Sequence, residues 1–339
     1  MWLNYVWWGL FVCVIAGYLI MDGFDIGVGL LHLFVARNDT ERRISLNSIG
    51  PIWDGNEVWL VLGGGVLFAA FPIVYAALFS GFYGAMMLVL LVLILRTVSI
   101  EFRSKVAAPG WRALWDGVFA GASLGLALLL GVAFGNIVSG VPLDAEGQVR
   151  IGSLLDLLHP MSLLMGLTTV VMLAIQGALY LDLKTEGALN ARVRRCLPPL
   201  MGLFALLAVA TDGSMFFSGH PDLSVYRQVW LLLVPLGAVA AFGVSWWASA
   251  RRRPGLAFAS WAALIALLLF SVAIGLFPNL LPSTTDPSYS LTIYNAASSA
   301  YTLTVMLVVA LIGMPVVIAY LAGVNYFFRG KVRLSSHSY

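Results

Sequence analysis

Residues 6–34 read VWWGLFVCVIAGYLIMDGFDIGVGLLHLF. A membrane-spanning helix needs about 20 mostly apolar residues, and this run exceeds that. No basic segment precedes it, and it is too long for the apolar part of a cleavable leader, so it is expected to stay as a first span. Two acids, Asp22 and Asp25, interrupt it three residues apart and share roughly one helical face. Gly23, Gly27 and Gly29 beside them allow another helix to approach closely.

The rest of the chain has the same character. Of 339 residues, 60% are hydrophobic and 10% are charged, whereas a soluble domain carries about 25% charged residues. This excludes a soluble fold, a disordered chain and a disulfide scaffold. Cys13 and Cys196 are too few and too far apart for a zinc site or a staple framework. The expected class is an all-α polytopic membrane protein, one integral membrane domain over 1–339. Nine spans are expected at 6–34, 52–76, 79–101, 116–139, 159–182, 198–217, 228–249, 256–278 and 300–327, with a break near Phe71-Pro72.

Basic residues test that count. Arg37, Arg42 and Arg43 follow span one; Arg103, Lys105 and Arg112 follow span three. Lys184, Arg192, Arg194 and Arg195 follow span five, Arg251 to Arg253 follow span seven, and Arg329, Lys331 and Arg333 follow span nine. The alternate loops hold only Arg150 and Arg227. Cytoplasmic loops are enriched in Lys and Arg, so the N-terminus is expected outside and the C-terminus in the cytoplasm. Trp7 and Trp8 fall at the outer rim, and Trp111, Trp115, Trp246 and Trp247 at the inner one, where indole prefers to lie. The longest outer loops, 140–158 and 279–299, read equally as an ordered cap or as solvated connectors. A weak echo links Met21-Asp22-Gly23 to Ile175-Gln176-Gly177.

Charge inside a span is costly, about 2.5–3.5 kcal/mol on insertion scales, and marks function or tight pairing. Span two opens with Trp53-Asp54-Gly55-Asn56-Glu57, and span three ends with Arg96 and Glu101. Asp22, Asp25, Asp54, Glu57 and Glu101 therefore share the inner depth with Arg96 as a counter-ion. One reading is a proton or cation pathway open to the cytoplasm. The other is a salt-bridged cluster that holds three helices together, with Asp54 and Glu101 merely interfacial. His32 and His159 fall at opposite ends of their spans and cannot sandwich one heme, while His220 and His337 fall in a loop and the tail. No heme-ligand or metal-ligand set, phosphate loop or nucleophile motif stands out, and nucleic-acid binding has no support. Two classes remain: a proton-handling subunit of a larger redox complex, and a stand-alone proton-coupled secondary transporter or proton channel.

Several strings carry a resemblance. These are residues 21–29 (MDGFDIGVG), 37–43 (RNDTERR), 53–59 (WDGNEVW), 68–72 (FAAFP), 102–105 (FRSK) and 131–136 (GVAFGN), with Phe277-Pro278 and Ser298-Ser299 further on. They resemble subunit II of the cytochrome bd-type quinol oxidases, and the short outer loop near 215–227 fits the cyanide-insensitive branch. The resemblance implies two four-helix bundles plus one extra helix. It implies a complex in the bacterial cytoplasmic membrane that takes electrons from quinol, reduces oxygen to water and builds a proton gradient. Two b hemes and one d heme are expected on the partner subunit I, and a small single-span subunit often joins the heterodimer. Subunit II would contribute a cytoplasmic proton pathway, here through Asp22, Asp25, Asp54 and Glu101; Glu57 stands where some relatives carry an amide. Some relatives hold a structural quinone or lipid in this subunit, at a place the resemblance does not locate here.

Overall fold

Apolar runs bounded by Pro, Gly and Arg-rich turns become eleven α-helices among the described residues of a computed structural model, which describes residues 1–218 and 229–334. His220, Arg227 and His337, and most of the loop near 215–227, lie outside them. The helices are α1 (Trp2–Val35), α2 (Asp39–Ile49), α3 (Trp53–Ala70), α4 (Pro72–Gly81), α5 (Tyr83–Phe102), α6 (Pro109–Ser139), α7 (Pro160–Lys184), α8 (Gly187–Ser218), α9 (Leu233–Ala250), α10 (Pro254–Leu276) and α11 (Ala300–Phe327). Eight of them are long and apolar enough to cross a membrane: α1, α5, α6, α7, α8, α9, α10 and α11.

The expected span 52–76 is two helices. Proline lacks an N–H and disfavours helical geometry in the residue before it. Phe71 accordingly leaves the helical region (φ −134°, ψ 62°), and Pro72 starts α4, which continues to Gly81. The next helix then begins at Tyr83 rather than 79. A second difference is α2, which lies where the sequence suggested only a charged loop. The side chain of Asn38 accepts from the Glu41 N–H at 2.9 Å and caps α2, with Asp39 and Glu41 in its first turn. Burial alone would raise the Glu41 carboxyl. The Arg37 N–H and the Arg192 guanidinium outweigh it and hold Glu41 below the ordinary carboxylate range.

Helix α1 is the axis of the molecule. Every residue from Asp22 to His32 is buried, so this half of α1 has no lipid-facing side. It packs on α7 through Gly27 and Gly177. A Cβ on Gly27 would lie 2.0 Å from the Leu173 carbonyl oxygen, so only glycine permits this backbone contact. The two halves of the sequence echo are therefore neighbours: Gln176 donates from Nε2 to the Ile20 carbonyl at 2.6 Å.

One apolar core fills the Arg-rich end and the middle, between α1, α7, α8, α9 and α10. A second fills the opposite end, between α1, α3, α4 and the loops. There the loops form an ordered cap, and the solvated-connector reading fails. Strand β1 (Asn279–Leu281) pairs antiparallel with β2 (Leu291–Thr292). Val141 bonds Pro282 and Thr284, and Ser298 donates to the carbonyls of Ala69 and Ala70. Outward, α11 is apolar and mostly exposed, with Leu303 alone among its described residues fully buried.

Candidate buried charge site

Three helices converge on Arg96, whose side chain is 1% exposed. From α5, its Nη1 donates to Asp22 Oδ2 at 2.9 Å and its Nη2 donates to Asp22 Oδ1. A planar guanidinium matches a carboxylate in this way, and two charge-assisted bonds fix both partners. Glu57 of α3 approaches Arg96 Nη1 at 3.6 Å, with its side chain 21% exposed. One helical turn beyond Asp22 lies Asp25, also fully buried. It accepts at 2.7 Å from Asn56 Nδ2, and no ion pair reaches it among the described residues.

Polar atoms are left over around this pair of acids. Asp25 Oδ1, Asn56 Oδ1, Gln176 Oε1 and Arg96 Nε are buried without a hydrogen-bond partner among the described residues. Buried polar atoms are rarely left unpaired in proteins, and ordered water commonly completes them.

Of the residues the sequence nominated, Asp22, Asp25, Glu57 and Arg96 thus come together. Asp54 does not join them: it is exposed in the first turn of α3. Glu101 is half-buried at the end of α5, about 7.5 Å further along the helix than Arg96. Asn56 and Gln176 were missed. They are neutral and add little cost to a span, so only the heptapeptide around Asn56 and the weak echo at Gln176 marked them.

A second buried network was missed altogether. Asp116 of α6 accepts from Arg103 Nε at 2.5 Å, from Arg42 Nη1 at 2.9 Å and from His32 Nε2 at 2.7 Å. Arg103 also reaches Asp39 at 2.9 Å, and so does Arg112. These arginines had been read only as markers of sidedness. In the fold they bolt the ends of α1, α2, α5 and α6 together. His32 has both ring nitrogens engaged, Nδ1 by Ser45 and Nε2 by Asp116, and does not fit as an axial heme ligand. His159 uses Nδ1 to cap α7 at the Ser162 N–H.

Comparison with known proteins agrees with this architecture. The sequence model described as cytochrome bd terminal oxidase subunit II matches residues 3–328. Cytochrome bd-I ubiquinol oxidase subunit 2 of Escherichia coli (strain K12) is 39% identical, with 97% of this chain and 95% of that protein covered. Cytochrome bd ubiquinol oxidase subunit 2 of Bacillus subtilis (strain 168) is 34% identical, with 97% of each covered. A chain of the bd oxidase from Geobacillus thermodenitrificans superposes with a TM-score of 0.79 over 97% of this chain and 99% of that one; at 20% identity it speaks for the fold. The chain therefore belongs to the cytochrome bd terminal oxidase subunit II family.

Proposed function

We propose that this chain is the second subunit of a quinol:oxygen oxidoreductase, and that its buried acids pass protons from the cytoplasm toward a heme-bearing first subunit. The family match and the ubiquinol oxidase names of its relatives support the first part. They give no support to a stand-alone transporter or channel. In this reading the complex sits in the bacterial cytoplasmic membrane, reduces oxygen to water and builds a proton gradient. Two b hemes, one d heme and the quinol site belong to subunit I, with room for a small single-span subunit and for a structural quinone or lipid. The chain is a single membrane domain with its N-terminus outside. Helices α3 and α4 together make the second of nine spans, arranged as two four-helix bundles and one extra helix. The alternation of Arg-rich turns supports that orientation.

The observation that carries the proton reading is the set of unpartnered polar atoms around Asp25. Water there would connect Glu57, whose side chain is 21% exposed, with an interior carboxyl. The roles divide by contact. Asp22 is tied at both oxygens to Arg96 and serves to hold that guanidinium. Asp25 keeps Oδ1 unpartnered, the atom on which a proton can sit and from which it can leave. Asp54, exposed at the mouth of α3, gathers protons, and Glu101 borders the same entrance. Hemes on the partner subunit would supply the electrons, and reduction of oxygen there would draw on the protons that Asp25 passes.

The test is Asp25→Asn in the intact complex, with quinol-driven oxygen consumption compared with heme content from the absorption spectrum. Turnover is expected to fall by roughly 100-fold, in line with loss of a proton-transfer group, with the heme bands retained. Loss of the bands together with turnover would make the cluster structural. Unchanged turnover would remove Asp25 from the route.

A further inference from the structure

We propose that the cleft between α8 and α9 at the Arg-rich end binds the phosphate headgroup of an anionic membrane phospholipid. The cleft holds about 240 Å³ and is lined by Arg194, Pro198 and Met201 from α8, by Trp246 and Ser249 from α9, and by Arg252. The turn after α9 sorts three consecutive arginines. Arg251 and Arg253 lie over the Trp247 ring, at 5.9 and 5.3 Å. Arg252 between them adopts a left-handed backbone (φ 57°), uncommon for a side chain of its size, and lines the cleft instead.

The charge balance favours an anion. Asp182 accepts from Arg194 Nε at 2.6 Å and from Nη2 at 3.2 Å, so one guanidinium is offset by one carboxylate. No carboxylate pairs with Arg252 among the described residues. The Ser249 hydroxyl adds a donor that suits a phosphate oxygen.

The surroundings favour a lipid over a soluble anion. Trp246 and Trp247 are 40% and 45% exposed, as indoles are in the headgroup layer. Away from the cleft, toward the middle of the molecule, the helix faces that line it carry exposed apolar side chains: Val209 on α8 and Val239 on α9. A headgroup in the cleft would lay its acyl chains along that strip. Basic pockets between membrane helices hold lipid phosphates by this combination. The site rests only on the chain lying in a membrane and is independent of the proton reading.

The experiment reconstitutes the purified complex into nanodiscs with phosphatidylglycerol or phosphatidylcholine and counts retained lipid by native mass spectrometry. Phosphatidylglycerol is expected to be retained over phosphatidylcholine. Arg252→Asn, which suits a left-handed backbone, is expected to weaken that retention about tenfold or more, the loss of one charge-assisted bond. Arg333→Gln, on the exposed tail, is expected to change nothing. Millimolar inorganic phosphate should fail to displace the lipid. Displacement that depends on Arg252 would assign the cleft to a soluble anion instead. Equal retention of the two lipids, or an Arg252→Asn complex identical to wild type, would overturn the proposal.

Discussion

Arg96 shows how much one buried side chain decides here. Its two bonds to Asp22 and its approach to Glu57 leave no conservative replacement, because a lysine ammonium cannot reproduce a planar two-point contact. Removing one partner of a buried pair leaves an uncompensated charge, which costs about 3–5 kcal/mol. Arg96→Gln is therefore expected to lower the thermal midpoint of the complex and its assembled yield, measured by size-exclusion chromatography with heme absorbance. Arg96→Lys should rescue only part of the loss. This contrasts with Asp25→Asn, which should change turnover at constant yield. A pH effect belongs to the cap. The Gln148 N–H donates to Asp144 at 2.8 Å, and Arg150 joins at 2.7 Å; together they hold the Asp144 carboxyl below its ordinary 3.8. A carboxyl lowered in the fold stabilises it above the unfolded value, and that contribution is lost as pH falls through the folded value. Hydrogen exchange of the Glu146 and Gln148 amides, corrected for intrinsic rate, should quicken below about pH 3.8 and stay unchanged from pH 5 to 8. Residues of this kind differ in how well the sequence exposes them. Asp22, Asp25 and Arg96 could be picked out because a charge within a span is costly. Asp116 could not, because it sat at the expected start of a span, where an acid is ordinary.

Among the helices, contact between α1 and α7 is the least tolerant. Gly27→Ala would set a Cβ against backbone, with no flexible side chain to yield. Overpacking of this kind costs typically 1–3 kcal/mol or more, and the separation it forces would move Asp22 and Gln176 as well. The thermal midpoint should fall and turnover with it. Gly117→Ala on α6, with nothing within 4 Å of the added carbon, should be neutral or slightly stabilising. Element boundaries were largely readable: most expected spans lie within a few residues of a helix, and the break at Pro72 follows from backbone geometry alone. Exceptions were α2, short and polar, and the first turns of α6 and α8, which extend past the apolar stretch. Apolar periodicity registers what lipid covers. It says little about helices that run on into the charged layer, where capping and ion pairs decide. Nor does it give helix-to-helix register, which rests here on a few small residues such as Gly27 and Gly177.

For the whole molecule, the two ends are closed by different means. One end is capped by hydrogen-bonded loops and the β1–β2 hairpin; the other is held by arginine networks and by the segment after α11. Lys331 Nζ donates to the carbonyls of Asp182 and Thr185 at 3.1 and 2.9 Å, and the Val332 N–H donates to Lys184 at 2.9 Å. These bonds satisfy carbonyls that the end of α7 cannot satisfy alone, and they place a cation where the helix dipole favours one. They also tether α11, whose main helix contacts are otherwise with α1 and α3. Lys331→Met is expected to raise hydrogen exchange at 182–186 and along α11 while leaving the Asp22–Arg96 pair intact. The same latch has a consequence for how the chain is made. Thr185 and Lys331 are 146 residues apart, so at about 5–20 residues per second a ribosome reaches the lysine roughly 7–30 s after the threonine. Throughout that interval the nascent protein holds α7, its central packing partner, with an unfinished end, and any quality-control protease that samples membrane-surface turns meets it in that form.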